Sequence, residues 1–314
     1  MLTDRDIIYI AGHDYGLTDS RISTDHIAEQ LARHNRILYV ESVGLRRPRL
    51  DRNDLTRIGR KLTKFIRPPR QVHPRFWVVT PLAIPFHHSP EIRRLNQALL
   101  WIQIRWASAL LKFSKPILFV FLPHMAGIVG NLRESLSIYY CTDEHAAFPG
   151  VEGRGIRRAE EELLRKVTLG FATSPEILKN KKQINPNFYL SSHGVDFDNF
   201  ARAQDPTLPI PEDIGNLPRP IVGYFGAIDR WVDLELVDYL ARSRPRWSFV
   251  FIGKQATDTS ALSTLSNVHF LGQRPFARLP YYGRAFDAAI IPFRIDDLTI
   301  SVSPIKLKEY LAMG

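Results

Sequence analysis

The chain of 314 residues contains one cysteine, Cys141, and three methionines. A single cysteine excludes an intramolecular disulfide, so the sequence is not that of a disulfide-stabilised secreted domain and fits a reducing compartment. No segment reaches the ~20 consecutive apolar residues that a membrane-spanning helix needs. Asp4 and Asp6 precede the first short apolar run, where a signal peptide would carry basic residues. We therefore expect no signal peptide and a cytoplasmic protein.

What the chain does have is positive charge, with a net charge of +10 that is unevenly distributed. Residues 46–75 contain eleven arginines or lysines against two acids. Within residues 55–66, apolar side chains recur at helical spacing and basic side chains occupy other positions, namely Arg57, Arg60, Lys61 and Lys64. Such a basic amphipathic helix can lie on an anionic membrane surface, although its apolar face could equally pack on the rest of the protein. The segment is not interleaved with aromatic residues, so we expect no nucleic-acid partner.

Short apolar runs alternate with helical patterns along the first 200 residues, and the same alternation restarts after residue 220. Continuous apolar strands of this kind are typical of parallel sheets that are buried on both faces. The intervening stretch is rich in proline and has little periodicity, which is typical of a linker. The sequence therefore predicts an α/β protein with two Rossmann-like, doubly wound domains, 1–202 and 221–314, joined by a linker at 203–220.

Several stretches together resemble one enzyme family. "IVGYFGAIDRWVDL", "NVHFLGQRPFARLPYYGRAFDAAIIPFR" and "SPIKLKEYLAMG" resemble the nucleotide-sugar-binding domain of bacterial glycosyltransferases with the GT-B fold. "YYCTDEHAAFPG" and "ATSPEILKNKKQINPNFYLSSHGVDFDNF" resemble the acceptor domain of that family and its crossover. The resemblance covers nearly the whole chain and is nearest to enzymes that make cell-surface polysaccharides such as teichuronic acid.

That resemblance implies a hexosyltransferase that moves a sugar from a nucleotide-diphosphate-sugar to a lipid-linked or polysaccharide acceptor. It implies work at the inner face of the cytoplasmic membrane and no cofactor beyond the donor itself. No pair of histidines has helical metal-ligand spacing beside acids, so we expect no metal site. The resemblance also implies that the helix ending at Gly314 should be followed by a further strand, and we therefore expect a truncated chain with an incomplete second domain.

The segment "SPIKLKEYLAMG" carries the predicted donor site. We expect Ser303 to cap a helix that begins at Pro304, because serine and proline favour those two positions. The free N–H groups at a helix start bind anions such as a diphosphate. Lys306 would add a positive charge, and Glu309 would accept hydrogen bonds from the ribose hydroxyls. An isolated K-x-x-E is usually a solvated helix face, but the family context favours ligand contact.

Other donor residues are predicted with departures from the family pattern. Ser301 stands where relatives have a second glutamate, and Arg230 is not at the usual place for a basic residue after the first strand. Gly226 would let the backbone approach the donor. Diphosphate neutralisation would then rest on Lys306, the helix start and Arg294.

In the first domain, the loop after the first strand contains Gly12, His13 and Gly16, which we assign to the acceptor side, although a plain turn is nearly as plausible. The family resemblance places an acidic pair on Asp143 and Glu144. A carboxylate there could take the proton of the acceptor hydroxyl, or could simply cap a helix. His124, which also follows a strand, is the alternative base.

Two other functions remain open from the sequence. A nucleotide-sugar epimerase with the same architecture would not need the basic segment. A non-catalytic basic protein that binds nucleic acid or membranes would need no donor site.

Overall fold

The protein is represented by a computed structural model that describes residues 2–16, 23–42, 68–83, 90–148 and 153–314. The chain divides into two compact units, Met1–Ser192 and His193–Gly314. Among the described residues, no helix combines the length and apolar character needed to cross a membrane. The basic residues Arg57, Arg60, Lys61 and Lys64 lie outside the described residues.

The first unit is built on one eight-stranded sheet. Its strands are β1 (Asp6–Ile10), β2 (Arg36–Val40), β3 (Arg70–His73), β4 (Phe76–Val79), β5 (Ile117–Val120), β6 (Leu136–Cys141), β7 (Leu169–Ala172) and β8 (Phe188–Leu190). The spatial order is β3-β4-β2-β1-β5-β6-β7-β8, and every neighbouring pair is parallel except β3 with β4. The antiparallel edge strand β3 was not predicted, because its sequence RQVH is too short and polar to show a strand pattern.

Helices cover this sheet and bury its strands. They are α1 (Ser23–Ala32), α2 (Pro90–Leu110), α3 (Gly153–Lys166) and α4 (Pro175–Lys182), with short 3-10 turns at Pro123–Met125 and His145–Ala147. Side chains on both faces of β1, from Ile7 to Ile10, are fully buried. The predicted start of α4 is confirmed, since the Ser174 hydroxyl accepts the Ile177 N–H at 3.2 Å and Pro175 opens the helix.

The second unit contains a smaller, fully parallel sheet. It comprises β9 (Ile221–Phe225), β10 (Ser248–Ile252), β11 (Val268–Gly272) and β12 (Ala288–Ala289) in the order β11-β10-β9-β12. Around it lie α5 (Phe197–Phe200), α6 (Glu212–Gly215), α7 (Leu234–Ser243), α8 (Leu279–Gly283), α9 (Asp297–Ile300) and α10 (Ile305–Met313). Short 3-10 turns occur at Ala201–Gln204, Leu262–Thr264 and Phe276–Arg278. The prediction of two α/β units with parallel sheets therefore agrees with the structure.

The stretch predicted as a linker, 203–220, differs from expectation. It belongs to the second unit, which begins at His193 rather than at residue 221 as predicted. Phe200 stacks on Phe225 with ring centroids 5.9 Å apart, and Ile214 is fully buried in the same apolar cluster. Apolar side chains between the prolines hold this stretch against the second unit. These residues could have been recognised in the sequence, but the high proline content favoured a linker.

Candidate functional site

In the second unit, the carboxyl ends of the parallel strands bring glycines and α10 together. The Gly226 N–H donates to the Ile252 carbonyl at 2.8 Å, and the Gly253 N–H donates to the Gly272 carbonyl at 2.9 Å. A Cβ atom on Gly253 would lie 1.9 Å from the Gly226 carbonyl oxygen. Only glycine permits backbones to meet so closely, so this edge of the sheet is lined by bare peptide groups. Gly226 was predicted from the sequence, whereas Gly253, which follows β10 as Gly226 follows β9, was not.

Lys306 lies directly over Gly226. A Cβ atom on Gly226 would come within 2.1 Å of the Lys306 Cε atom, and the Lys306 ammonium sits 5.8 Å from the Tyr224 ring centroid. Glu309 follows one helical turn later and is buried, with 7% of its surface exposed. Neither side chain forms a hydrogen bond or ion pair with any other residue that the structure describes.

The pKa values of Lys306 and Glu309 are shifted mainly by burial, because the two groups form no ion pair. Burial raises the pKa of Glu309 to about 7, although nearby Lys306 acts in the opposite direction. Burial also lowers the pKa of Lys306, and Glu309 opposes that change. A buried carboxyl group beside a half-buried ammonium, both without hydrogen-bond partners, is costly to a folded protein and is characteristic of functional sites.

The start of α10 departs from the predicted cap. Pro304, with ψ of 114°, occupies the N-cap position, and no side chain caps the helix. Ser303 is therefore not the cap, because the extended backbone at Pro304 delays the first helical residue to Ile305. The Leu307 N–H turns back to the Pro304 carbonyl at 3.2 Å, which leaves the N–H groups of Ile305 and Lys306 as the open donors at the helix start.

The Tyr310 side chain fixes α10 against the sheet. Its hydroxyl accepts the Phe225 N–H at 3.2 Å and donates to the Ile290 carbonyl at 3.4 Å. These contacts reach the ends of β9 and β12, so α10 bridges two strands. Lys306 and Glu309 are consequently presented at a fixed position beside Gly226.

Arg230 and Arg294 lie on two adjoining loops beyond the strands. The Arg294 N–H donates to the Trp231 carbonyl, and the Asp233 N–H donates to the Pro292 carbonyl, both at 2.8 Å. Both arginine side chains are exposed. The structure thus joins their backbones, but it shows no contact of either side chain with Lys306 or Glu309.

At the carboxyl end of the first sheet, Asp143 and Glu144 follow β6 but differ in their contacts. The Asp143 carboxylate is half-buried and makes no hydrogen bond with the described residues. Glu144 accepts from the Lys181 ammonium at 2.9 Å, and Lys181 also pairs with buried Glu160 at 2.8 Å. Glu160 in turn accepts from the Tyr139 hydroxyl at 2.7 Å. Glu144 is therefore part of a paired network, whereas Asp143 remains open.

Burial tends to lower the pKa of Lys181, but its acidic neighbours, Glu160 and Glu144 among them, raise it overall. Lys181 is thus a fixed positive charge beneath the loop that carries Asp143. This role could not be predicted from the sequence, because Lys181 is one of three lysines in "LKNKK" and nothing local distinguishes it from the other two.

The loop after β1 forms a second polar cluster. His13 Nε2 lies 2.8 Å from Asp25 Oδ1, and the Tyr39 hydroxyl donates to the same oxygen at 2.7 Å. Gly12 precedes this histidine, and Gly16 follows it with φ of +67°. Asp25 and Tyr39, which orient His13, were not singled out from the sequence.

His124 occupies the 3-10 turn after β5, where it is half-buried. It therefore lies at the same sheet edge as Asp143, as the sequence predicted, but the structure shows no hydrogen bond between these two described residues. Among the parts of the chain that the structure describes, no group of three His, Cys, Asp or Glu residues is arranged to hold a metal ion.

Comparisons with known proteins bear on this fold. The Anabaena protein HepE, solved in complex with UDP and glucose, matches 92% of this chain and 73% of its own at 15% identity and a TM-score of 0.58. A UDP-forming α,α-trehalose-phosphate synthase from Burkholderia xenovorans matches 99% of this chain and 82% of its own at 10% identity and a TM-score of 0.63. The chain has the GT-B fold of glycosyltransferases.

In sequence, the chain is similar to TuaH of Bacillus subtilis strain 168, which is named as a teichuronic acid biosynthesis glycosyltransferase. The two are 26% identical over 196 residues, which span 56% of this chain and about half, 48%, of TuaH. No protein-family model matches the chain. The resemblance seen in the sequence, to GT-B enzymes of teichuronic acid type, is thereby confirmed.

Proposed function

We propose that the chain is a glycosyltransferase that moves a sugar from a UDP-sugar to a lipid-linked or polysaccharide acceptor at the cytoplasmic face of the membrane. The similarity to TuaH supports the transferase class. The ligands and names of the structural neighbours, UDP with glucose and a UDP-forming synthase, support the donor.

The observation that carries this proposal is the unpaired Lys306–Glu309 set beside Gly226. A diphosphate placed at the start of α10 receives the Ile305 and Lys306 N–H groups and the Lys306 ammonium. Because Gly226 has no side chain, the Lys306 side chain can lie against its backbone. The two ribose hydroxyls donate to the Glu309 carboxylate, which then gains the hydrogen-bond partners that it lacks in the protein alone.

In the reaction, the acceptor hydroxyl oxygen bonds to the anomeric carbon of the donor as the bond from that carbon to the diphosphate breaks. UDP leaves, and the proton of the hydroxyl passes to a base. We assign that base to Asp143, because its carboxylate is open while Glu144 is engaged by Lys181. His124 is the alternative. Lys306 and the helix start carry the charge of the leaving diphosphate.

Calorimetric titration with UDP tests the donor site. Glu309→Gln should weaken UDP binding by ~1–3 kcal/mol, the worth of a charge-assisted hydrogen bond, and leave the fold intact. Lys306→Met should weaken UDP more than uridine, because uridine lacks the diphosphate.

Glu235→Gln is the matched control, since Glu235 is an exposed glutamate on α7 of the same unit. Equal UDP affinity for the Glu309→Gln and Glu235→Gln variants, in a protein that binds UDP, would exclude this site.

A further inference from the structure

The outer face of α2 carries a continuous apolar strip. Its members are spaced by four, three, four and four residues: Leu95, Leu99, Ile102, Trp106 and Leu110. At 100° per residue this spacing keeps all five side chains on one side of the helix. Four of them are about half exposed, with 49% for Leu95, 54% for Ile102, 45% for Trp106 and 50% for Leu110. Large apolar side chains aligned and exposed in this way mark an interaction surface.

The helix cannot turn this strip inward, because its opposite face is fixed. Gln103 accepts the Leu82 N–H at 2.7 Å and donates to the Leu82 carbonyl at 3.0 Å. Leu100, Ile104 and Ala107 on the same inner face are almost fully buried in the core of the first unit. A rotation of α2 would break both amide hydrogen bonds and expose these three residues, so the strip stays on the outside.

A basic edge runs beside the apolar strip. Arg94 and Arg105 are exposed and lie on one side of it, eleven residues apart, and exposed Lys112 follows the end of α2. The Arg105 guanidinium is held in place 5.2 Å above the Trp101 ring. Glu91 is the single acidic residue in the sequence of α2, and it lies in the first turn. The surface therefore combines apolar side chains with one sign of charge.

We propose that this strip of α2 lies in the interface of an anionic lipid bilayer, with the helix parallel to the membrane plane. Leu95, Ile102 and Leu110 reach the acyl boundary, while the basic edge meets the lipid phosphates. Trp106 is suited to the interface because it joins a large apolar ring to a polar N–H group. The inference deepens the membrane-face part of the proposed function but requires no transferase activity.

Charge favours a bilayer over a second copy of the chain as the occupant. Suppose that two copies of the chain packed strip against strip, with their α2 helices antiparallel and related by a two-fold axis. The basic edge of one copy would then lie beside the basic edge of the other. Like charges placed side by side destabilise such a pair. Anionic phosphates, in contrast, neutralise Arg94 and Arg105 while the lipid tails cover the apolar strip.

Co-sedimentation of the full 314-residue chain with vesicles, without donor, tests the proposal. Phosphatidylcholine vesicles with phosphatidylglycerol should retain the protein better than phosphatidylcholine alone. The Ile102→Ser/Trp106→Ser variant should lower the partition coefficient ~10-fold or more, because both side chains leave the interface. Arg94→Glu/Arg105→Glu should remove the preference for the anionic lipid.

Two matched pairs serve as controls. Leu236→Ser/Tyr239→Ser replaces two exposed apolar residues of α7, and Arg246→Glu/Lys254→Glu reverses two exposed charges of the second unit. Both should bind vesicles like the parent protein. Leu95→Gln/Leu110→Gln repeats the apolar test if the first variant fails to fold.

Three results would overturn the proposal. The parent protein could fail to bind anionic vesicles. The strip variants could bind as well as their controls, with binding lost instead on Arg60→Glu/Lys64→Glu. The parent could be a dimer that the strip variants convert to monomers without change in vesicle binding. Glu309→Gln should bind vesicles normally, so a failure of the donor site is distinguishable from a failure of this surface.

Discussion

Lys181 in the first unit and Lys306 in the second each lie near a glutamate at the carboxyl end of a parallel sheet. Lys181 is held between Glu144 and Glu160 at 2.9 and 2.8 Å. Lys306 and Glu309 are three residues apart on one helix and form no ion pair with each other. In the first arrangement each charged group has a partner of opposite charge within the protein, and the ion pairs hold the loop that carries Glu144. The second lacks such partners, and under the proposed function a nucleotide supplies them. Ion pairing, rather than burial, is therefore what separates the proposed donor site from the structural network.

The strongest test of this contrast is Lys181→Met. The change leaves Glu144 and Glu160 close together without their shared cation, which should reduce the free energy of unfolding by ~3–5 kcal/mol. Lys179→Met, an exposed lysine on the same helix, is the control. Chemical denaturation at pH 7 should show this loss. If the two variants unfold alike, the network contributes nothing to stability.

The second test uses pH. Glu309 in the folded protein has a pKa of about 7 against an ordinary value of 4.5, so between these pH values unfolding releases a proton. Stability attributable to this group should therefore fall as pH rises through that window, by at most ~3.5 kcal/mol at ~1.4 kcal/mol per pH unit. Glu309→Gln has no proton to release and should give a flatter profile of unfolding free energy against pH. Parallel profiles for the two proteins would contradict the assignment.

The third test separates the two acids of the first unit. Asp143→Asn should slow sugar transfer ~100-fold while UDP affinity is unchanged, because a base acts on the acceptor. Glu144→Gln should have a smaller effect, since the glutamine oxygen can still accept from Lys181. UDP release measured with a lipid extract as acceptor reports both rates. Near-normal turnover by Asp143→Asn would move the role of base to Glu144 or His124.

Local sequence patterns predicted much of the fold but few of the ion pairs between side chains. The apolar runs located most strands of both sheets, and "SPE" located the start of α4. Both signals are local, because cap and strand preferences depend on residues that are adjacent in the sequence. The network of Lys181, Glu144 and Glu160 joins residues up to 37 positions apart, and a local sequence pattern cannot reveal contacts over that distance. The same limit explains why Asp143 and Glu144 looked equivalent in the sequence.

The errors also have local causes. Ser303 and Pro304 match the usual cap and first-turn preferences, yet the backbone at Pro304 is extended and the helix starts one residue later. Residues 203–220 matched a linker by proline content, although Leu208 and Ile214 are buried in the second unit. In the second case tertiary contacts prevailed over composition.

The packing of Phe200 and Ile214 determines where the chain can be cut for separate expression. A fragment that begins at residue 221 would lose the side chains that cover Ile221 and Phe225, and it would present an apolar face to water. A fragment that begins at His193 retains the cover, together with the Gln204 amide that donates to the Ala312 carbonyl at 3.0 Å. The 28 residues from 193 to 220 thus cover one face of the small sheet, and the solubility of the excised unit depends on their inclusion.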